Sequence, residues 1–121
     1  MKILVAVSAL VFAASPVFSQ TVTNPTKVEY TVSADHAQLT KYTIGYFLPG
    51  ATDPVQTADL PLVAPDAQQK VTEPINALPL GFGTYTAKLK SVAGTIASDW
   101  SASSNEFTRA PLPPGGVVVK K

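Results

Sequence analysis

The sequence predicts an all-β domain, a single antiparallel β-sandwich of about seven short strands. Two segments, 27–34 and 84–90, alternate between apolar and polar residues with the period of two that strands have. Turn-forming residues recur between such segments, and 11 prolines in 121 residues favour short strands over long helices. We therefore expect one domain with one hydrophobic core.

Residues 1–19 have the pattern of a secretory signal peptide. Lys2 precedes the apolar run 3–14, and small residues lead to Ser19. We place the cleavage site between Ser19 and Gln20. The alternative is an uncleaved anchor, but the apolar run is short against the roughly 20 residues that span a bilayer. We therefore expect no membrane span after cleavage.

Composition argues against several classes of function. The chain has no cysteine, which excludes a disulfide framework, a thiol nucleophile and a thiolate metal site. The formal net charge is +1, and loss of Lys2 with the leader would leave as many basic as acidic residues. Nucleic acid is therefore not an expected partner. An exported domain without cysteine favours a bacterial source, with the chain secreted, periplasmic or at the cell surface.

The predicted domain covers residues 20–109. Alternation and turn residues place strands within 20–26, 27–34, 41–48, 55–63, 68–75, 84–90 and 105–109. The side chains expected to point into the core are Val28, Tyr30, Val32, Ala34, Tyr42, Ile44, Tyr46, Leu48, Val71, Ile75, Tyr85, Ala87, Leu89 and Phe107. Residues 110–121 form a tail rich in proline and glycine, for which an extended conformation is expected.

Three sequence features resemble the fibronectin type III family of immunoglobulin-like domains. The segment 42–46, YTIGY, is similar to that family's Y-x-V-x-Y third strand. Leu78-Pro79 leading to Tyr85 looks like its tyrosine corner, and 98–101, SDWS, resembles its passage into the last strand. The resemblance covers residues 21–109 and implies an immunoglobulin-like sandwich. The chain departs from the family in lacking a tryptophan on the second strand and in a longer spacing before Tyr85.

The titratable residues offer no recognisable catalytic or metal-binding pattern. His36 is the only histidine and follows Asp35 in a predicted loop, whereas a hydrolase needs a nucleophile, a histidine and an orienting group together. The carboxylates are scattered without the spacing of a calcium loop. We expect neither an enzyme nor a metal or other cofactor. A small hydrolase using His36 is a distant alternative.

The predicted binding surface combines loop residues with the single tryptophan. An immunoglobulin-like fold would bring Asp35, His36 and Gln38 to the same end as Thr95, near Trp100. Trp100 is open to two interpretations: it stacks on a ligand, or it packs over the edge of the sandwich, which is the interpretation we favour.

Two functions from different classes follow from these features. The first is an exported, non-enzymatic binding or adhesion module with a protein or glycan partner. The alternative is a structural subunit that self-assembles into a fibre, surface layer or virion-like particle through sheet edges or the tail residues Val117, Val118 and Val119. The tail itself is expected to be a flexible spacer, with strand addition to another subunit as the alternative.

Overall fold

The computed structural model describes residues 9–12, 20–75 and 80–121, and for residues 9–12 it describes the backbone alone. The rest of the predicted leader and the predicted corner residues Leu78-Pro79 lie outside the described residues.

Strands form nearly all the regular structure of the described residues, which confirms the prediction of an all-β chain. A single turn of 3-10 helix, His36–Gln38, precedes the fourth strand. The strands are β1 (Ala9–Phe12), β2 (Val22–Thr23), β3 (Lys27–Thr31), β4 (Lys41–Phe47), β5 (Gln56–Leu60), β6 (Lys70–Pro74), β7 (Gly83–Ala93), β8 (Ile96–Ala97) and β9 (Phe107–Arg109).

The strands form two sheets. The smaller sheet has the order β1-β3-β6, and the larger has the order β2-β9-β7-β4-β5, with β8 paired to the far end of β7. Two pairs, β1 with β3 and β2 with β9, are parallel, which corrects the expectation of wholly antiparallel sheets. Neither pair is joined by a hairpin, so nothing in the chain connection requires an antiparallel arrangement.

The strand β1 lies inside the predicted leader. Its residues Ala9–Phe12 pair in parallel with Lys27 to Tyr30 of β3. Cleavage after Ser19 would therefore remove a strand and leave this edge of β3 without its neighbour.

One hydrophobic core contains side chains from both sheets, and the sequence alternation predicts most of it. Leu48 and Ala34 are exceptions, because each lies beyond the end of its strand and is exposed. The buried core residues are Val22, Val28, Tyr30, Tyr42, Ile44, Tyr46, Val71, Leu80, Tyr85, Ala87, Leu89 and Phe107, with Val32 and Ile75 packed against them.

Residues 98–104, which we call the serine passage, run along β7 without forming a regular strand. Ser98, Ser101 and Ser104 lie opposite Ser91, Leu89 and Ala87, so that every third residue of the passage faces every second residue of β7. Each serine donates its backbone N–H to the carbonyl of its partner, at 2.7 to 2.9 Å. Each serine hydroxyl accepts the N–H of the same partner at 2.9 Å. The hydroxyls therefore take the place of the carbonyls that a regular strand would offer.

Two buried tyrosines differ in how their hydroxyl groups are satisfied. The hydroxyl of Tyr85 donates to the carbonyl oxygen of Gly81 at 2.9 Å, four residues earlier in the chain. The hydroxyl of Tyr30 is buried and finds no hydrogen-bond partner among the described residues. Because a buried polar group without a partner destabilises a fold, the two hydroxyls have opposite effects on stability.

We predict that Tyr85→Phe lowers the free energy of unfolding by about 1 kcal/mol, because a net favourable hydrogen bond is lost. Tyr30→Phe removes an unpartnered hydroxyl and is expected to leave the stability unchanged or to raise it. Denaturant unfolding of the full chain at neutral pH measures both variants. Equal losses of stability in the two variants would contradict the contrast between the two hydroxyls.

Candidate functional site

An open groove of about 250 Å³ lies between the end of β3 and the serine passage. Most of its side chains carry hydroxyl groups, one carries an ammonium group and one a carboxylate. It is lined by Thr31, Ser33, Tyr42, Leu89, Lys90, Ser91, Ser98, Asp99 and Ser101. This lining offers hydrogen-bonding groups together with one positive and one negative side chain, a combination that suits a polar ligand.

Tyr42 connects this groove to the predicted loop residues. Its hydroxyl accepts the backbone N–H of Ser33 at 3.0 Å and lies 2.8 Å from Nδ1 of His36. The ring stacks on His36, with centroids 5.8 Å apart, and meets Tyr30 edge-on at 5.2 Å. Tyr42 thus fixes both the wall of the groove at Ser33 and the 3-10 turn that carries His36.

Both tyrosines are protonated at neutral pH, and burial moves each pKa further above that range. It raises the pKa of Tyr30 to about 12, with smaller contributions from Glu73 and Tyr42. Burial also raises the pKa of Tyr42, against the opposing effect of the hydrogen bond from Ser33. The hydroxyl of Tyr42 thus takes part in two hydrogen bonds at once, with Nδ1 of His36 and with the backbone N–H of Ser33.

His36 is half-buried, and the described contacts of its side chain are with the ring and hydroxyl of Tyr42. Neither contact is a nucleophile held by a third, orienting group, as a hydrolase would need. The side chain of His36 therefore holds the 3-10 turn against Tyr42.

The other predicted loop residues lie close to His36. Asp35 and Gln38 are exposed in the same turn, and the N–H of Gln38 donates to the carbonyl of Asp35 at 2.8 Å. Thr95 is exposed in the turn between β7 and β8. That turn is tied to the first loop because the N–H of Gly94 donates to the hydroxyl of Thr40 at 3.1 Å. This hydrogen bond holds the β7–β8 turn beside the loop that precedes β4.

Trp100 packs on the outer face of the larger sheet. Its ring lies directly over Gly45 and meets Phe47 edge-on, with ring centroids 5.2 Å apart. The ammonium group of Lys90 lies over the indole, 4.1 Å from its centroid. Trp100 is therefore in contact on several sides, which agrees with the packing interpretation.

A second, smaller cluster of apolar side chains results from this packing. Phe47 points away from the main core, yet it is fully buried beneath Trp100 and Lys88, whose ammonium group lies 4.8 Å from the ring centroid. Lys88 and Lys90 alternate with the core residues of β7, so their stems and charges cover the outer aromatic rings. Lys90 joins this cluster to the groove, because it contacts Trp100 and also lines the groove.

Sequence reasoning missed most of the residues that line the groove. The hydroxyls of Thr31, Ser33, Ser91, Ser98 and Ser101 come from three separate parts of the chain and converge only in the fold. The three-residue spacing of serines in 98–104 was the available signal.

Within the described residues, no group of three or more histidine or acidic side chains is placed to hold a metal ion. Among the described residues, no helix is long and apolar enough to cross a membrane.

Comparison of the chain with protein-family models, with curated proteins and with solved structures finds no match.

We predict that Gly45→Ala lowers the free energy of unfolding by about 1–3 kcal/mol. The added methyl group would lie 2.7 Å from Cη2 of Trp100 and 2.9 Å from Cε1 of Phe47, so both rings must shift. In a Trp100→Ala background the same change is expected to cost less, because one of the two rings is gone. Thermal or denaturant unfolding of the four proteins completes the cycle.

Gly115→Ala is the control for this cycle, since nothing lies within 4 Å of the position of the added methyl group. If Gly45→Ala were as mild as Gly115→Ala, Trp100 would not be packed against the sheet.

Proposed function

We propose that the chain is an exported, non-enzymatic, immunoglobulin-like β-sandwich that binds a polar protein segment in the groove between β3 and the serine passage. The observation that carries this proposal is the convergence of hydroxyl groups with Lys90 and Asp99 along one groove. The hydroxyls of Ser98 and Ser101 are fixed by hydrogen bonds from β7, so they need little ordering when a ligand binds.

The strand arrangement supports the immunoglobulin-like part of this proposal. Without β1 and the two-residue β8, seven strands remain, as β3-β6 in one sheet and β2-β9-β7-β4-β5 in the other. The hydrogen bond from Tyr85 to the carbonyl of Gly81 is of the kind that forms a tyrosine corner in such sandwiches.

The aromatic residues beside the groove favour a peptide over a glycan. Sugar rings commonly stack on a free aromatic face, but the indole of Trp100 is covered by Lys90. Tyr42 is buried between Tyr30 and His36. The groups of the groove that can contact a ligand are therefore its polar side chains, and an extended peptide offers matching donors and acceptors along its backbone.

We predict that peptides selected from a displayed random library bind the full chain and change its tryptophan fluorescence. Trp100 is the single tryptophan, and the Lys90 above it lines the groove. Asp99→Asn is expected to weaken binding about tenfold, because a hydrogen bond to a charged group is lost.

Asp53→Asn is the matched control, because Asp53 is an exposed carboxylate in the loop after β4 and does not line the groove. A panel of neutral and acidic oligosaccharides is titrated in parallel. The proposal fails if oligosaccharides bind and peptides do not, or if both aspartate variants bind selected peptides as tightly as the parent chain.

A further inference from the structure

We propose that the edge of β3 that faces β1 binds the tail residues Val117–Val119 of a second copy of the chain. The proposal rests on the exported state in the proposed function, because it requires that the leader with β1 has been removed. It adds to that function a specific interface between two copies.

The edge of β3 is able to accept an apolar strand, since it pairs with one in the structure. Ala9–Phe12, with the sequence ALVF, lies along it in parallel over four residue pairs. After cleavage, the N–H and C=O groups on this edge of β3 would lose their partners. An open edge of this kind is a template for another strand.

The other sheet edges are protected against such pairing. β6 contains Pro74, which cannot donate to a ladder. β5 lies between Pro54 and Pro61 and carries Asp59, whose carboxylate is paired with Lys41 at 3.0 Å. Proline and charge on an edge both oppose strand addition. β2 is only two residues long.

The tail contains an apolar segment suited to this edge. The side chains of Val117, Val118 and Val119 are 85%, 75% and 93% exposed, and valine favours the strand conformation. The preceding segment 111–114 contains three prolines, which favour an extended conformation with a rise of about 3.1 Å per residue. The exposed valines do not pack on the domain that carries them, which favours a second copy as the acceptor.

The origin of the tail lies next to the accepting strand. The N–H of Ala110 donates to Oδ1 of Asn24 at 3.0 Å, and Asn24 is three residues before Lys27, the first residue of β3. Each domain therefore presents a donor tail and an acceptor edge side by side. Two copies related by a twofold axis can exchange tails reciprocally, which closes the assembly at a dimer rather than extending it into a fibre.

The test uses introduced cysteines, because the chain has none of its own. The full chain is expressed with its leader in an exporting bacterial host, and the intact mass of the exported product reports the cleavage. Glu29→Cys, at the centre of the β3 edge, is mixed with Val118→Cys under mild oxidation. We expect roughly tenfold more disulfide-linked heterodimer than in a mixture of Thr57→Cys, on the β5 edge, with Val118→Cys.

Further variants separate the remaining outcomes. Glu29→Cys/Val118→Cys in one chain should give a doubly linked dimer, whereas a linked monomer would show pairing within one copy and overturn the proposal. Light scattering should show a dimer that Val118→Asp abolishes and that the neighbouring tail variant Leu112→Asp retains. A monomer at all concentrations, a retained leader, or equal cross-linking to both edges would also overturn it.

Peptide binding by the Val118→Asp variant distinguishes failure of the tail-exchange proposal from failure of the proposed function. No tail residue lines the groove, so selected peptides should still change the fluorescence of Trp100 in that variant. Loss of dimerisation with retained peptide binding leaves the proposed function intact.

Discussion

The hydrogen bonds between the serine passage and β7 connect the parts of the molecule on which the groove depends. They satisfy one edge of β7 at Ala87, Leu89 and Ser91, while the other edge pairs with β4. The three-residue repeat of the passage is out of step with the two-residue repeat of a strand. The serine hydroxyls compensate for this mismatch, because they accept the backbone N–H groups of β7 as strand carbonyls would. This pairing fixes Trp100 on one side of the passage and Asp99 beside the groove.

The same pairing links the two apolar regions of the domain. Leu89 belongs to the main core, whereas Lys90 covers Trp100 on the outer face. Gly45 makes this outer cluster feasible, because any larger side chain at position 45 would collide with the indole. The groove is thus lined by neighbouring residues of β7 whose side chains pack on opposite faces of the larger sheet, Leu89 in the main core and Lys90 over Trp100.

The sequence predicted every strand except β1 and the two-residue β8, together with most of the core, because alternation follows directly from the pleat of a strand. The prediction from alternation failed where distant parts of the chain pack together. Phe47 lies on the face opposite the predicted core residues of its strand but is buried, since Trp100, 53 residues later in the chain, packs over it. The groove could not be predicted either, because Thr31 and Ser101 meet only through the packing of two sheets. Residues 9–12, which the sequence assigned to a predicted leader, showed no strand pattern beyond their apolar composition.

Amide hydrogen exchange at Ala87 and Leu89 tests the role of the serine passage most directly. Their N–H groups donate to the hydroxyls of Ser104 and Ser101 rather than to a regular ladder. If the passage closes this edge of the sheet, both amides exchange slowly, through unfolding of the domain rather than local opening. Exchange as fast as that of Gly115 and Gly116 in the exposed tail would show that the passage does not bind β7 and would contradict the account.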